Sequence, residues 1–240
     1  MRYLIISDIH ANWQALEAVL AAAAGQYEQI LCCGDLVGYG AHPNRVVEWA
    51  RSAVAVLIRG NHDRACAFEE DLEWFNPVAR TSTLWTRSVL TAPNRLWLRE
   101  LAQGPRGVGD FHLIHGSPRD EDEYVISLEE FQDAFDSLEA RVAFFGHSHV
   151  QCACSWFGGR YRMLGPESTF VTGGSAAWLI NPGAVGQPRD RDPRAAYALF
   201  DSASGEVRLM RTTYDVEAAR RAILKAGLPP RLGDRLLEGS

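Results

Sequence analysis

Apolar positions along the chain recur at two spacings, and the two alternate. Tyr3, Leu4, Ile5 and Ile6 form an unbroken apolar run that stops at Ser7-Asp8, the pattern of a strand buried on both faces. Trp13, Leu16, Val19 and Leu20 then recur at helical spacing and predict an amphipathic helix over 12–24. A second buried strand, Ile30-Leu31-Cys32-Cys33, ends at Gly34-Asp35. Asn44–Ala53 reads as a helix, and Val54–Ile58 as a third strand ending at Gly60-Asn61. Strands alternating with helices imply a layered α/β domain whose functional loops leave the strand ends.

Between 64 and 103 the rhythm becomes helical and aromatic-rich, with Trp74, Phe75, Trp85 and Trp97. The segment is either a cap over a site or an ordinary packed helical layer. Strands are predicted at 110–115 and 142–146, then short β segments with Gly turns at 150–156, 160–164, 168–173, 196–201 and 206–213. Val216–Ala226 is a helix that Gly227-Leu228-Pro229-Pro230 ends. With no internal repeat and no linker, residues 1–240 read as one α/β domain, a sandwich of two sheets flanked by helices. Its trailing strands and helix are candidates for a contact between subunits.

Composition narrows the chemistry. The net charge is −6, without a Lys/Arg-rich block, which excludes a general binder of extended nucleic acid and leaves room only for a local basic pocket. Of the 24 basic residues only Lys225 is a lysine, and it sits in a helical pattern near the end. Walker-type phosphate loops and Schiff-base chemistry are thereby excluded. The amino-terminal apolar run is too short for a signal peptide, and no stretch has the length of a membrane span. The 5 cysteines lack disulfide-scaffold spacing, so a reducing cytoplasm is the expected location.

Five of the 7 histidines fall at predicted strand ends: His10, His62, His115, His147 and His149. Asp8-Ile9-His10 and His147-Ser148-His149 each put two ligand-type side chains at i and i+2, which extended backbone would place on one face. Asp35 follows a strand within Gly34-Asp35-Leu36-Val37-Gly38, and its two oxygens can bridge two cations. Gly60-Asn61-His62-Asp63 adds an amide oxygen and another imidazole. Oxygen and imidazole donors without thiolate suit Mn²⁺ first, with Zn²⁺, Fe and Mg²⁺ as alternatives. Two divalent ions outweigh the carboxylates of Asp8 and Asp35, so the pocket attracts phosphate although the chain is acidic.

These blocks, in this order, resemble the signature elements of the calcineurin-like metallophosphoesterases: Asp8-x-His10, Gly34-Asp35-x-x-Gly38, Gly60-Asn61-His62-Asp63, His115-Gly116 and Gly146-His147-Ser148-His149. Asn181-Pro182-Gly183-Ala184-Val185-Gly186-Gln187-Pro188-Arg189, Gly38-Tyr39-Gly40 and Ala226-Gly227-Leu228-Pro229 resemble the small bacterial branch of YfcE-type phosphodiesterases and diadenosine-polyphosphate hydrolases. Ser148 stands where threonine is common and Ala184 where serine is common, departures that touch no metal ligand. The resemblance implies a four-layer αββα fold. It also implies that Asp8, His10 and His149 hold one metal, that Asn61, His115 and His147 hold the second, and that Asp35 bridges both.

The reaction so implied is hydrolysis of a phosphomonoester or phosphodiester bond of a small molecule or nucleotide, by a hydroxide between the two ions. His62 is not expected to ligate; it faces the substrate, stabilises developing charge and can protonate the leaving group. Asp63 either orients His62 or serves a helix N-terminus. Asn12 is a helix cap or a substrate contact, His42 a loop residue or a substrate contact, and Arg189 a phosphate fork or a surface arginine. His112, of opposite parity to His115, and Cys152 and Cys154, of opposite parity to His147 and His149, are read as outside the site. A nuclease and a catalytically weak scaffold of the same fold are the competing readings.

Overall fold

The apolar runs do become strands, and their period of two sorts their side chains into separate layers. The structure is a computed structural model and describes residues 1–69, 72–73 and 75–240; Trp74, named above with the aromatic segment, lies outside them. The first half of the chain runs β1 (Arg2–Ile6), α1 (Trp13–Ala23), β2 (Gln29–Cys32), α2 (Pro43–Ala53), β3 (Val54–Leu57), α3 (Asn61–Ala67), α4 (Pro77–Val89) and α5 (Ala92–Arg99). It continues with β4 (Arg106–Val108), β5 (Phe111–Leu113), α6 (Leu128–Asp136), β6 (Val142–Phe144), β7 (Cys152–Phe157) and β8 (Arg160–Leu164). The remainder is β9 (Thr169–Val171), β10 (Ala177–Asn181), β11 (Ala195–Asp201), β12 (Glu206–Thr212), α7 (Val216–Lys225) and α8 (Pro230–Glu238).

The strands form two six-stranded mixed sheets, ordered β3-β2-β1-β11-β12-β9 and β4-β5-β6-β10-β7-β8. Within β1, Leu4 and Ile6 face one way and pack against Leu16 and Val19 of α1, Val46 and Val47 of α2 and Leu98 of α5. Tyr3 and Ile5 face the other way, into the layer between the sheets, with Phe144, Ile180 and Phe200. Beyond the second sheet, Phe145 and Leu179 pack on Phe131 and Ala134 of α6. These are the four layers of the expected αββα sandwich. A fourth apolar cluster joins α7 and α8 to Tyr39 and to Ala79 of α4. Among the described residues no helix is long and apolar enough to cross a membrane.

Four elements lie outside the sequence prediction. β4 and β10 are short, and β10 (Ala-Trp-Leu-Ile-Asn) is a plain apolar run with no alternation to mark it. It is central all the same, parallel to β6 and antiparallel to β7. α6 opens with a capping box, in which Ser127 Oγ accepts from Glu130 N at 3.3 Å and Glu130 Oε2 accepts from Ser127 N at 2.6 Å. The proline pair that ends α7 also starts α8, because a proline in the first turn lacks only an N–H that would have no helical partner there.

Phe144 is fully buried between the sheets, its ring 5.7 Å from Phe111 and 5.2 Å from Phe200. Phe144→Ala is expected to cost about 3–5 kcal/mol in urea unfolding. A loss near zero would contradict tight packing of the inter-sheet layer.

Candidate metal centre

Every expected ligand follows the carboxyl end of a strand: Asp8 and His10 after β1, Asp35 after β2, Asn61 after β3, His115 after β5, His147 and His149 after β6. This is the edge at which open α/β sheets present their loops to ligands. The local geometry differs from the sequence expectation. Asp8, His10, Asp35, His147 and His149 are not extended; all five have positive φ, between 48° and 64°. Aspartate and histidine tolerate this left-handed conformation better than most residues, and the surroundings enforce it. Asp8 N donates to Gly34 O at 3.0 Å, His10 N to Asp35 O at 3.0 Å, and His147 N to Asp8 Oδ1 at 3.1 Å. The loop after β10 closes the set: Val185 N donates to Ser7 O (3.0 Å), Gly186 N to Asp8 O (2.9 Å) and Asn181 Nδ2 to Gly146 O (3.0 Å). Two glycines are there for space. A Cβ at Gly60 would stand 2.1 Å from Asp35 Oδ1, and one at Gly146 would stand 2.0 Å from Ser7 Oγ.

The loops gather two groups of ligand atoms, Asp8, His10, Asp35 and His149 in one and Asp35, His115 and His147 in the other. Asp35 belongs to both. Its Oδ2 lies 3.5 Å from His10 Nε2 and 3.5 Å from His115 Nε2, while its Oδ1 accepts from His62 N at 2.9 Å. Asn61 Oδ1 joins the second group, 3.2 Å from His115 Nε2.

The tautomers follow from the main chain. His10 Nδ1 donates to Val37 O (3.0 Å), His115 Nδ1 to Cys33 O (2.8 Å), His149 Nδ1 to Gln187 O (2.6 Å) and His147 Nε2 to Asp122 O (3.1 Å). A carbonyl can only accept, so each ring keeps its other nitrogen for the centre. His10 Nε2 and His149 Nε2 face each other at 3.0 Å, and Asp8 Oδ2 and Asp35 Oδ2 are buried without a hydrogen-bond partner. Lone pairs and bare carboxylate oxygens converging inside a protein fit a cation.

The electrostatics agree. Burial holds His10 and His149 well below the usual histidine range and pushes His147 down to about 3, His115 adding to the effect there. These rings are neutral and free to ligate. Burial pushes Asp8 up, and Asp35 adds to the rise against the pull of His115. Burial would raise Asp35 too, but the charges of His115 and His62 hold it well below the carboxylate range. Burial disfavours charge on His115, yet Asp35 lifts it to about 10. A proton on His115 thus stands in for a cation beside Asp35, and metal binding there must release it.

Residues 1–205 match the calcineurin-like phosphoesterase superfamily domain. The chain belongs to that superfamily. It is 34% identical over 244 residues to an uncharacterized protein of Methanocaldococcus jannaschii, covering 98% of this chain and 97% of the relative. It also resembles the crystal structure of a metallophosphoesterase from Sphaerobacter thermophilus, with 37% identity, TM-score 0.87 and coverage of 100% and 99%. A hypothetical protein from Pyrococcus horikoshii shares the fold, with TM-score 0.78, 19% identity and coverage of 100% and 98%.

In this member of the superfamily the candidate centre opens into a cleft of about 390 Å³ whose walls include Tyr39, Asn61, His62, Phe75, Tyr124 and His147. His62 stands at its floor, with Tyr39 at 4.5 Å, Phe75 at 5.0 Å and His10 at 5.0 Å between ring centroids. Its Nδ1 is buried without a partner, and burial pushes the ring down to about 4. Arg189 lies beside the cleft, its Nη1 3.5 Å from Tyr124 Oη, its Nη2 3.3 Å from Gln187 Oε1, and its Nε buried without a partner. Asn12 caps α1, accepting from Ala15 N at 3.2 Å, and spends its Nδ2 on Gly186 O at 2.9 Å. His42 precedes α2 with its Nε2 3.3 Å from Gln14 Nε2 and joins neither ligand group. His112 is 3 residues short of the centre on β5, and neither Cys152 nor Cys154 joins a ligand group. Tyr39 lay in a recognised Gly-Tyr-Gly stretch and Phe75 in the aromatic segment read as a possible cap, but neither was singled out as a site residue; Tyr124 carried no signal.

Of the two roles open to Asp63, the helix N-terminal one matches its bonds. Its Oδ1 accepts from Leu36 N (2.9 Å) and Val37 N (3.2 Å), and its Oδ2 from Gly60 N (3.1 Å). Asp63→Ala leaves three buried N–H groups without acceptors, so a loss of about 3 kcal/mol or more is expected in denaturant unfolding of metal-free protein. A loss under about 1 kcal/mol would show that water or a rearranged loop replaces the carboxylate.

Proposed function

We propose that this chain is a metal-dependent phosphoesterase that hydrolyses phosphomonoester or phosphodiester bonds of small molecules or nucleotides. One observation carries the reading: a single buried carboxylate, Asp35, shared by two ligand groups, with His147 of the second group and Asn61 beside it lining a cleft. Asp8, His10 and His149 would hold one divalent ion and Asn61, His115 and His147 the other, with Asp35 between them. The oxygen and imidazole donors suit Mn²⁺. Bound there, divalent ions supply Lewis acidity, acidifying water and drawing charge from phosphoryl oxygens.

The protein's own groups do the rest. The left-handed loops fix the ligands so that little reorganisation accompanies binding. His62 lines the cleft and offers a hydrogen bond to the leaving oxygen. The guanidinium of Arg189 is placed to pair with a phosphoryl oxygen, since its partners are neutral side chains. The α4 side of the cleft contributes Phe75, Asn76 and Ala79, which supports a capping role for part of 64–103. A cleft of this volume and a net charge of −6 favour a small substrate over a polyanionic strand. Cysteines that are all free agree with a cytoplasmic location.

The test is hydrolysis of p-nitrophenyl phosphate, bis-p-nitrophenyl phosphate and a dinucleoside polyphosphate, each with Mn²⁺ and with chelator. Turnover that chelator abolishes supports the proposal; no turnover of any substrate moves the chain to the scaffold reading. His62→Ala is expected to keep its metal content, by elemental analysis, while kcat falls about 10²–10⁴-fold. Asp35→Ala is expected to lose both ions, and retention of two tightly bound ions would refute the shared role of Asp35.

A further inference from the structure

Three of the four ligand imidazoles are oriented by carbonyls that lie at strand ends or in the loop packed against β1: Cys33, Val37 and Gln187. The fourth is different. His147 Nε2 donates to the carbonyl of Asp122, in the 117–126 connection between β5 and α6, where the Asp122 side chain is 48% exposed. A surface connection does not by itself hold a carbonyl in register with a buried ring. Something must anchor it.

The anchor is one residue away. Glu121 is only 4% exposed in a run of exposed acidic residues, and it sits between two arginines. Arg59 donates to it through Nε and Nη2, both at 3.1 Å, and Arg64 donates through Nη1. Arg64 also reaches Asp122, with Nη2 at 2.9 Å and 3.2 Å from its two carboxylate oxygens. The origin of these arginines gives the arrangement its meaning. Arg59 follows β3, two residues before Asn61, and Arg64 lies in α3, the helix that begins with Asn61 and His62. Glu121 therefore ties the element bearing one ligand of the second group to the loop that orients another. Tyr124, from the same loop, lays its ring over His147 at 4.0 Å between centroids.

We propose that Glu121 is a positioning residue for the metal centre: clamped by Arg59 and Arg64, it holds the Asp122 carbonyl against His147 Nε2 and so reserves His147 Nδ1 for the metal. A buried carboxylate between two guanidiniums is costly unless its geometry serves something, and here it fixes a tautomer. The inference rests on the metal-centre reading, but its first readout needs no metal. In ¹⁵N spectra of metal-free protein labelled at histidine, His147 is expected as the Nε2–H tautomer, and His10 and His149 as Nδ1–H. Glu121→Gln should convert His147 to a mixture of tautomers and leave those two unchanged. It should also weaken Mn²⁺ binding in calorimetry by about 10–100-fold.

Arg59→Gln, which leaves Glu121 paired with Arg64, should shift both readouts in the same direction by less. It decides the matter if Glu121→Gln does not fold. An Nε2–H tautomer and unchanged Mn²⁺ affinity in the variants would overturn the proposal. Wild-type protein that binds no Mn²⁺ would instead refute the metal-centre reading, with the tautomer of His147 still deciding the role of Glu121.

Discussion

Three carboxylates, those of Asp8, Asp35 and Asp63, are buried beyond the reach of water within one loop cluster, and the rest of the structure answers that cost. Each is handled differently. Asp63 is saturated by three main-chain N–H groups and becomes part of the scaffold. Asp8 and Asp35 are satisfied on one oxygen only, by His147 N and His62 N, and each keeps its other oxygen bare. A fold that can neutralise one buried carboxylate so thoroughly, yet leaves its two neighbours half-satisfied among imidazoles, leaves those oxygens suited to a positive charge. In metal-free protein the proton on His115 is part of that charge. The same constraint explains the left-handed residues. Extended backbone would carry Asp8 and Asp35 onward along the sheet edge, whereas the tight turns bend their carboxylates back toward each other.

Much of this was legible in the sequence because strand ends announce themselves. An apolar run followed by Asp, Asn, His or Gly marks where a buried strand meets a loop, and Asp8, Asp35, Asn61, His115 and His147 all carry that mark. Residue type thus located the candidate ligands, although extended backbone was the wrong reason for pairing Asp8 with His10 and His147 with His149. Chain conformation was not legible, since a positive φ at aspartate or histidine leaves no trace in residue type. Nor were the carbonyls of Cys33, Val37, Asp122 and Gln187, because every residue has one and only folding decides which imidazole it meets. β10 was missed for a related reason: four apolar residues before an asparagine look alike in a strand or a turn until β6 and β7 pair with them. For α8 the error lay in reading a proline as a stop when its position made it a start.

The segment Asn181–Arg189 shows how a resemblance and a physical role meet. The sequence offered only the likeness. In the structure, Asn181 holds the Gly146 carbonyl and the Ser148 hydroxyl, Val185 and Gly186 hold the end of β1, and Gln187 sets the His149 tautomer. One loop therefore braces ligands contributed by both sheets. Ala184 is fully buried within it, so a small residue there meets the packing need whether or not it carries a hydroxyl.

The ligands and the walls of the cleft are built differently, and that difference bears on substrate choice. Asp8, Asp35, His115, His147 and His149 sit on loops locked by main-chain bonds at the ends of core strands, where a shift of one position disturbs both sheets. Tyr39, Phe75 and Tyr124, by contrast, come from three separate connections on the outer side of the cleft, and they meet the centre through ring contacts with His10, His62 or His147. These side chains make none of the main-chain bonds that hold the ligand loops, so exchanging them leaves those bonds in place. On the proposed reading, the chemistry is set by the buried carboxylates, and the choice of leaving group by a removable aromatic collar.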